Sequence, residues 1–399
     1  MAYFSARFSE LIGKPVHDID TPALVIDLDA MKRNLGRMAE FAKKHQIRWR
    51  PHAKLHKSVL LGKMQIKAGA VGVCVQKTAE AEIMVAGGVH NVYLSNQVIA
   101  PEKLARVAAL TQQVAPHGGQ IAIAVDSIEG VSRLAQAMTD ARTRARHGAA
   151  NSAATVIDVF VEIDVGQGRC GVQPGEAAVT LALEIRKHPA LRFAGLQAYH
   201  GKAQHLRSAL ERRLVTASAL KAVDTTCQRL AAQGMAPGLV TGAGTGSFAL
   251  EAASGIYGEL QAGSFLFMDA DYAQNERDPA QPQFEHALFV KTQVISVHSG
   301  HAVCDAGHKS HAIDSGMPKV HAFDADSALD YFNGGDGHGI LRPAEGSARL
   351  PGLGKMLWLI PGHCDPTVNL HDVMIGVSGG LRAGVVERII KVDARGAMT

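Results

Sequence analysis

At 399 residues the chain is long for one ordinary domain, and its 47% hydrophobic and 20% charged content describes a globular protein with a large core. A formal net charge of +4 with histidines neutral is too mild and too dispersed to argue for nucleic acid, and no apolar run reaches membrane-spanning length. The five cysteines (Cys74, Cys170, Cys227, Cys304 and Cys364) are widely spaced without a CxxC, and no apolar leader opens the chain, which together predict a reduced, cytoplasmic protein.

Taken in order, residues 21–28 predict an apolar strand introduced by a proline. Asp29 then reads as the cap of a helix whose buried stripe is Met31, Leu35, Met38 and Phe41. A short strand follows and runs out into Arg50-Pro51-His52-Ala53-Lys54-Leu55-His56-Lys57. Strands over 70–76, 91–95, 120–126, 153–165, 191–200 and 238–241 then alternate with helices over 78–86, 101–115, 127–144, 174–187 and 206–233, with a loop at 145–153. Seven or eight β-then-α units predict an α/β fold, a parallel (β/α)8 TIM-like barrel over 21–275, with a doubly wound sheet as the rival. Beyond Tyr272 the texture changes to short, glycine-spaced strands, as at 287–297, 356–360 and 385–392. This predicts a C-terminal β domain over 276–399, joined by residues 1–20.

In such a barrel the chemistry sits at the C-terminal ends of the strands. Two lysines and two histidines within residues 52–57 crowd like charges together. Crowding and partial burial predict a lowered lysine pKa and a free amine able to attack a carbonyl. Three more clusters fall at strand ends: Asp164 with the Gly-Gln-Gly-Arg-Cys-Gly run that follows, Tyr199-His200 with Gln204-His205, and Thr241-Gly-Ala-Gly-Thr-Gly-Ser247. The last exposes consecutive amides and hydroxyls that suit a phosphate, and Gln261-Ala-Gly-Ser264 repeats the theme. A candidate Schiff-base lysine beside two phosphate cradles points to pyridoxal 5'-phosphate (PLP). In the β domain, His363-Cys364-Asp365 read as an extended segment puts His363 and Asp365 on one face and Cys364 on the other. Imidazole with carboxylate suits Mn²⁺ or another fairly hard divalent ion, and a two-residue site leaves coordination positions for water and substrate.

Together these stretches resemble the D-threonine aldolase and 3-hydroxy-D-aspartate aldolase family of PLP enzymes, whose fold is the alanine-racemase-like barrel plus β domain. The resemblance rests on DTPALVIDLD at 20–29, RPHAKLHKS at 50–58, VEIDVGQGRCGV at 161–172, LQAYHGKAQH at 196–205, GAGTGS at 242–247, ELQAGSFLFMDADY at 259–272 and PGHCDPTVNLHD at 361–372. It implies Lys54 as the Schiff-base residue, with Lys57 in support. It places Arg169 near the cofactor's phenolic oxygen, Gly244, Thr245, Gly263 and Ser264 on its phosphate, and His52, Tyr199 and His200 beside it. Gln261 would face the ring nitrogen as a neutral group that offers no acid to keep that nitrogen protonated. His363 and Asp365 would hold the divalent metal, Mn²⁺ before Mg²⁺, Co²⁺ or Zn²⁺, and His205 would be the catalytic base. The implied reaction is retro-aldol cleavage of a small D-β-hydroxy-α-amino acid to glycine and an aldehyde, in a homodimer with no nucleic-acid or membrane partner. A D-serine or D-hydroxyaspartate dehydratase releasing ammonia is the alternative, although such enzymes carry H-x-C where this chain has H-x-D. A non-catalytic PLP-homeostasis protein is a further alternative.

Overall fold

The computed structural model describes residues 8–148, 155–323, 328–344 and 349–399. The proline-led strand forms as Ala23–Asp27 (β1), with Leu24, Val25 and Ile26 all fully buried. It does not open the barrel. Instead β1 pairs antiparallel with the later strand Leu288–Val297 and parallel with Val373–Ser378, in a second sheet. A strand buried on both faces reads as an unbroken apolar run whichever sheet receives it, so its sequence could not choose between them.

The barrel consists of eight parallel strands: β2 Arg48–Trp49, β3 Val73–Val75, β4 Asn91–Leu94, β5 Gln120–Val125, β6 Ile157–Glu162, β7 Leu191–Ala198, β8 Leu239–Gly242 and β9 Glu259–Leu260. Their order is β2-β9-β8-β7-β6-β5-β4-β3. The Val71 N–H donates to the Trp49 carbonyl at 3.0 Å and the Cys74 N–H to the Pro51 carbonyl at 2.9 Å, which closes the ring between β2 and β3. The second sheet runs Leu329–Asn333, Gly339–Pro343, Ala302–Cys304, Leu288–Val297, β1, Val373–Ser378, Val385–Lys391. Met356–Ile360 lies beside Leu288–Val297 and carries Lys319–Val320. The segment before β1 is tied to this sheet. The Val16 N–H donates to Gly384 at 2.8 Å, and the buried Lys291 Nζ donates to the carbonyls of Val16 (3.0 Å) and His17 (2.9 Å).

The helix after β1 spans Leu28–Lys44 and buries the predicted Met31, Leu35, Met38 and Phe41, each worth about 1.5–3 kcal/mol of transfer free energy. Its cap is Asp27, not Asp29. The Asp27 carboxylate accepts the N–H groups of Asp29 and Ala30 at 3.0 Å each, because strand and helix meet without a linker. A helix over Val59–Lys67 has no counterpart among the predicted elements, since its apolar residues surround a central Gly62 instead of forming a stripe. The helix Ile128–Gly148 runs into the predicted loop at 145–153, and residues 149–153 of that loop lie outside the described residues.

Candidate active site

The basic cluster does not stay together. After β2 the chain passes Pro51 and turns into a 3-10 helix over Ala53–Leu55, so Lys54 rides on a turn beyond the strand. His52 caps that turn, its Nδ1 accepting the Lys54 N–H at 3.4 Å while its Nε2 meets Ser95 Oγ at 3.2 Å. Burial, followed by the Lys54 charge, lowers the His52 pKa to about 3, so the ring is neutral. Lys57 points away from Lys54 and pairs with the buried Glu80 at 2.8 Å, and His56 bonds Gln65 at 3.2 Å in the core. Lys54 and His52 border a cavity of about 310 Å³ at the C-terminal end of the barrel, and His56 and Lys57 do not.

Lys54 does not have the lowered pKa that its crowded sequence predicts. Asp365 Oδ2 lies 3.6 Å from Lys54 Nζ, and its negative charge raises the Lys54 pKa against the opposing effect of burial. Burial would raise the Asp365 pKa too, but Lys54 and the His363 hydrogen bond hold it well below the usual carboxylate range.

His363 and Asp365 meet, though not on a strand. His363 is extended (φ −144°, ψ 125°) and caps a short helix over Cys364–Val368, so Asp365 sits in that helix's first turn. His363 Nε2 is 3.1 Å from Asp365 Oδ2, and His363 Nδ1 is 2.7 Å from Asp314 Oδ2. Against burial, these two carboxylates hold the His363 pKa up at about 9. Cys364 is fully buried on the other side, its Sγ 3.9 Å from the Met268 carbonyl. The second Asp365 oxygen, Oδ1, is buried without a hydrogen-bond partner among the described residues. An orphaned carboxylate oxygen beside an imidazole nitrogen fits a divalent cation with hard-to-borderline preferences. Among the described residues no group of three or more His, Cys, Asp or Glu stands ready to enclose a metal, so a cation would rest on this pair and keep exchangeable positions.

His205 lies on the turn Lys202–His205 after β7, half exposed, with Nδ1 2.6 Å from Asp271 Oδ2. Arg207 holds both the carboxylate and the carbonyl of Asp271. With Nδ1–H donated to Asp271, the Nε2 lone pair of His205 is available to a proton in the cavity that it lines. Tyr272, a second residue beyond the predicted set, packs 5.7 Å from the His205 ring and also lines the cavity. Asp271 and Tyr272 stand in the MDADY stretch with no spacing signal to mark their roles, and Asp314 lies in no motif at all.

The loops after β8 and β9 form the opposite wall. The Thr245 hydroxyl accepts the Phe265 N–H at 3.0 Å and stitches the loops together, while Gln204 Oε1 accepts the Gly246 N–H at 2.8 Å. A Cβ on Gly244 would lie 2.4 Å from Gln204 Oε1, and one on Gly263 2.7 Å from the His52 carbonyl oxygen, so only glycine fits either place. The amides of Gly244, Thr245, Gly263 and Ser264 find no acceptor among the described residues, and all four residues line the cavity. Four N–H groups without an acceptor among the described residues, together with the Lys54 amine in the same cavity, fit a phosphorylated aldehyde. The Asp164 carboxylate accepts the Gly166 (2.9 Å) and Gly168 (3.0 Å) N–H groups and folds the loop that holds Arg169 6.0 Å above the Tyr199 ring. Gln261 lies on the cavity floor. His200 is the exception among the predicted site residues. Its ring packs on Gly166, its Nδ1 accepts the Ala203 N–H at 3.3 Å, and it does not line the cavity.

A parallel barrel with a lysine just beyond its first strand, completed by a second β sheet, is the alanine-racemase-like fold. Residues 26–271 match the alanine racemase N-terminal domain and residues 287–377 a putative serine dehydratase domain. A 3-hydroxy-D-aspartate aldolase of Paracoccus denitrificans (strain Pd 1222) is 41% identical over 393 residues, covering 97% of this chain and 95% of its own. A D-threonine aldolase of Arthrobacter sp. is 41% identical over 385 residues, covering 96% and 95%. The crystal structure of D-threonine aldolase from Filomicrobium marinum superposes with a TM-score of 0.89 at 44% identity, covering 97% of this chain and 99% of that one. The chain belongs to the family of D-threonine and 3-hydroxy-D-aspartate aldolases, carbon–carbon lyases built on this fold. No helix among the described residues is long and apolar enough to cross a membrane.

Proposed function

We propose that the protein cleaves the Cα–Cβ bond of a D-β-hydroxy-α-amino acid of the threonine or 3-hydroxyaspartate type, giving glycine and an aldehyde, with PLP and a divalent metal as cofactors. One observation carries the proposal: Asp365 lies 3.6 Å from the Lys54 amine and 3.1 Å from His363 Nε2, so a carbonyl-capturing amine and a cation-binding pair share one carboxylate. PLP, when bound, supplies an electron sink at Cα, and a divalent ion supplies a Lewis acid for the β-hydroxyl.

The chain's own residues supply the rest. Lys54 captures the aldehyde, and the amides of Gly244, Thr245, Gly263 and Ser264 hold the phosphate. Arg169 and Tyr199 border the same space, and the neutral His52 ring closes its floor side. His205 Nε2 takes the β-hydroxyl proton as Cα–Cβ breaks, while Asp271 keeps the ring oriented. Mn²⁺ is the first candidate for the His363–Asp365 pair, and a cytoplasmic homodimer is the proposed assembly. Elimination with release of ammonia is the rival outcome. The burial of Cys364, which withholds a thiolate from the metal pair, favours the aldol reading.

Borohydride treatment of the PLP-loaded protein tests the assignment. The reduced cofactor should be found on the peptide carrying Lys54, and Lys54→Ala should lose the cofactor's characteristic absorbance. Cofactor fixed to Lys57 with Lys54 unmodified would contradict it.

A further inference from the structure

Beneath the cavity, inside the barrel, lies a run of buried polar side chains that the proposed chemistry leaves unused: Glu259, Thr241, Gln261, Gln197 and Tyr93. They form one hydrogen-bonded chain, and its direction can be worked out from one end. At the barrel's opposite mouth Arg48 is 3.0 Å from Glu259 Oε2, and Arg50 is 3.1 Å from Glu259 Oε1. A carboxylate between two guanidiniums is only an acceptor. Thr241 Oγ1 stands 3.1 Å from Glu259 Oε1, so its single proton is committed to the carboxylate. The Thr241 oxygen can then only accept, and it accepts from Gln261 Nε2 at 2.8 Å. The other Gln261 N–H goes to Gln197 Oε1 at 2.7 Å, which also accepts the Tyr93 hydroxyl at 2.9 Å.

Both N–H groups of Gln261 are therefore spent inside the barrel wall. Turning the amide over would set its oxygen against the Thr241 oxygen with no proton between them, whereas Gln197, whose other partner is the Tyr93 hydroxyl, could turn with it, so the Thr241 contact sets the direction. The Gln261 carbonyl oxygen has, among the described residues, only a long contact, 3.4 Å to Gln197 Nε2, which leaves it a lone pair, and Gln261 borders the cavity.

We infer that Glu259 is a positioning residue: through Thr241 it fixes the Gln261 amide so that the cavity floor offers an acceptor, suited to the N–H of a protonated cofactor ring. The inference rests on the PLP reading above. In PLP the ring nitrogen lies across the ring from the aldehyde carbon, so with Lys54 and the four amides holding the other two ends, the floor is what remains for it. An acceptor there favours the protonated ring over a floor that could donate instead, by about tenfold for one neutral hydrogen bond. A glutamine at this place taken alone leads to the opposite expectation, because it is neutral. The buried carboxylate two bonds away decides which of its atoms faces the cofactor.

The test is the ¹⁵N resonance of ring-labelled PLP bound to the full-length protein. The wild-type signal should lie in the pyridinium range. Thr241→Val frees the amide, and Glu259→Gln lets Thr241 donate upward, so both should move the signal toward free pyridine, while Thr241→Ser should leave it in place. A free-pyridine signal in the wild type, or an unmoved signal in both Thr241→Val and Glu259→Gln, would overturn the inference. If Thr241→Val does not fold, the wild-type position and the Glu259→Gln shift still decide. Failure of the PLP reading looks different: the protein would not retain the labelled cofactor on Lys54, and both statements would fall together.

Discussion

His205 and Glu251 are two polar side chains whose settings decide what each can do. His205 has a carboxylate at 2.6 Å on Nδ1 and, among the described residues, none on Nε2, which is the arrangement that the proposed base role needs. His205→Asn should lower kcat by about 10² to 10⁴, the usual effect of removing a general base, with PLP and metal still bound. An unchanged kcat would move the role elsewhere. Glu251 lies in the helix Phe248–Ala253, just after the glycine loop that follows β8. It accepts the Ser247 hydroxyl at 2.8 Å, and its other oxygen is buried without a partner among the described residues. Burial raises its pKa to about 7 from the ordinary 4.5. The native state therefore keeps its proton up to about pH 7, while the unfolded chain releases it from about 4.5. Between those values the native state binds more protons, so stability falls as pH rises, by roughly 3 kcal/mol in total. Glu251→Gln keeps the hydrogen bond and removes the titration. Urea midpoints at pH 5 and pH 8 should show a smaller loss in the variant than in the wild type, and equal losses would contradict the assignment.

At the scale of elements, the segment His363-Cys364-Asp365 shows that a right pairing can rest on a wrong conformation. Spacing i, i+2 suggested a strand, but Pro366 suits the first turn of a helix, where its missing N–H costs nothing. His363 itself is extended and lies outside that helix, and its ring reaches Asp365 in the first turn at 3.1 Å, so the pair forms without a strand. His363→Ala and Asp365→Ala should each abolish Mn²⁺ binding and cleavage, while Cys364→Ala should keep most activity and lose about 1 kcal/mol of packing. A dead Cys364→Ala enzyme beside an active Asp365→Ala one would mean a thiolate ligand. Elements opened by their own punctuation were legible, as with the helices Thr78–Ala86 and Pro101–Val114. Local runs also marked Lys54, the glycine loops and His205. Partnerships across long stretches of chain left no trace in the sequence. Asp271 is 66 residues from His205, Asp314 is 49 from His363, and β1 joins strands more than 250 residues away. Such pairings follow from how the sheets come together, and no local period encodes them.

For the whole molecule, β1 makes the two sheets interdependent. Leu24 and Ile26 pack into the core shared with the barrel, and Val25 packs on the other face with Phe289, Trp358 and Ile375. The cavity has the same dual origin. Lys54 comes from the barrel and Asp365 from the segment beyond Met356–Ile360, and the 3.6 Å between them exists only when both parts are docked. That arrangement predicts a reaction needing both cofactors at once, and product analysis tests it most directly. With D-threonine or D-3-hydroxyaspartate as substrate, the PLP-loaded enzyme should form glycine and an aldehyde in equal amounts. Formation should stop with EDTA and return with Mn²⁺. Ammonia and a keto acid in place of glycine, or turnover indifferent to EDTA, would contradict the account.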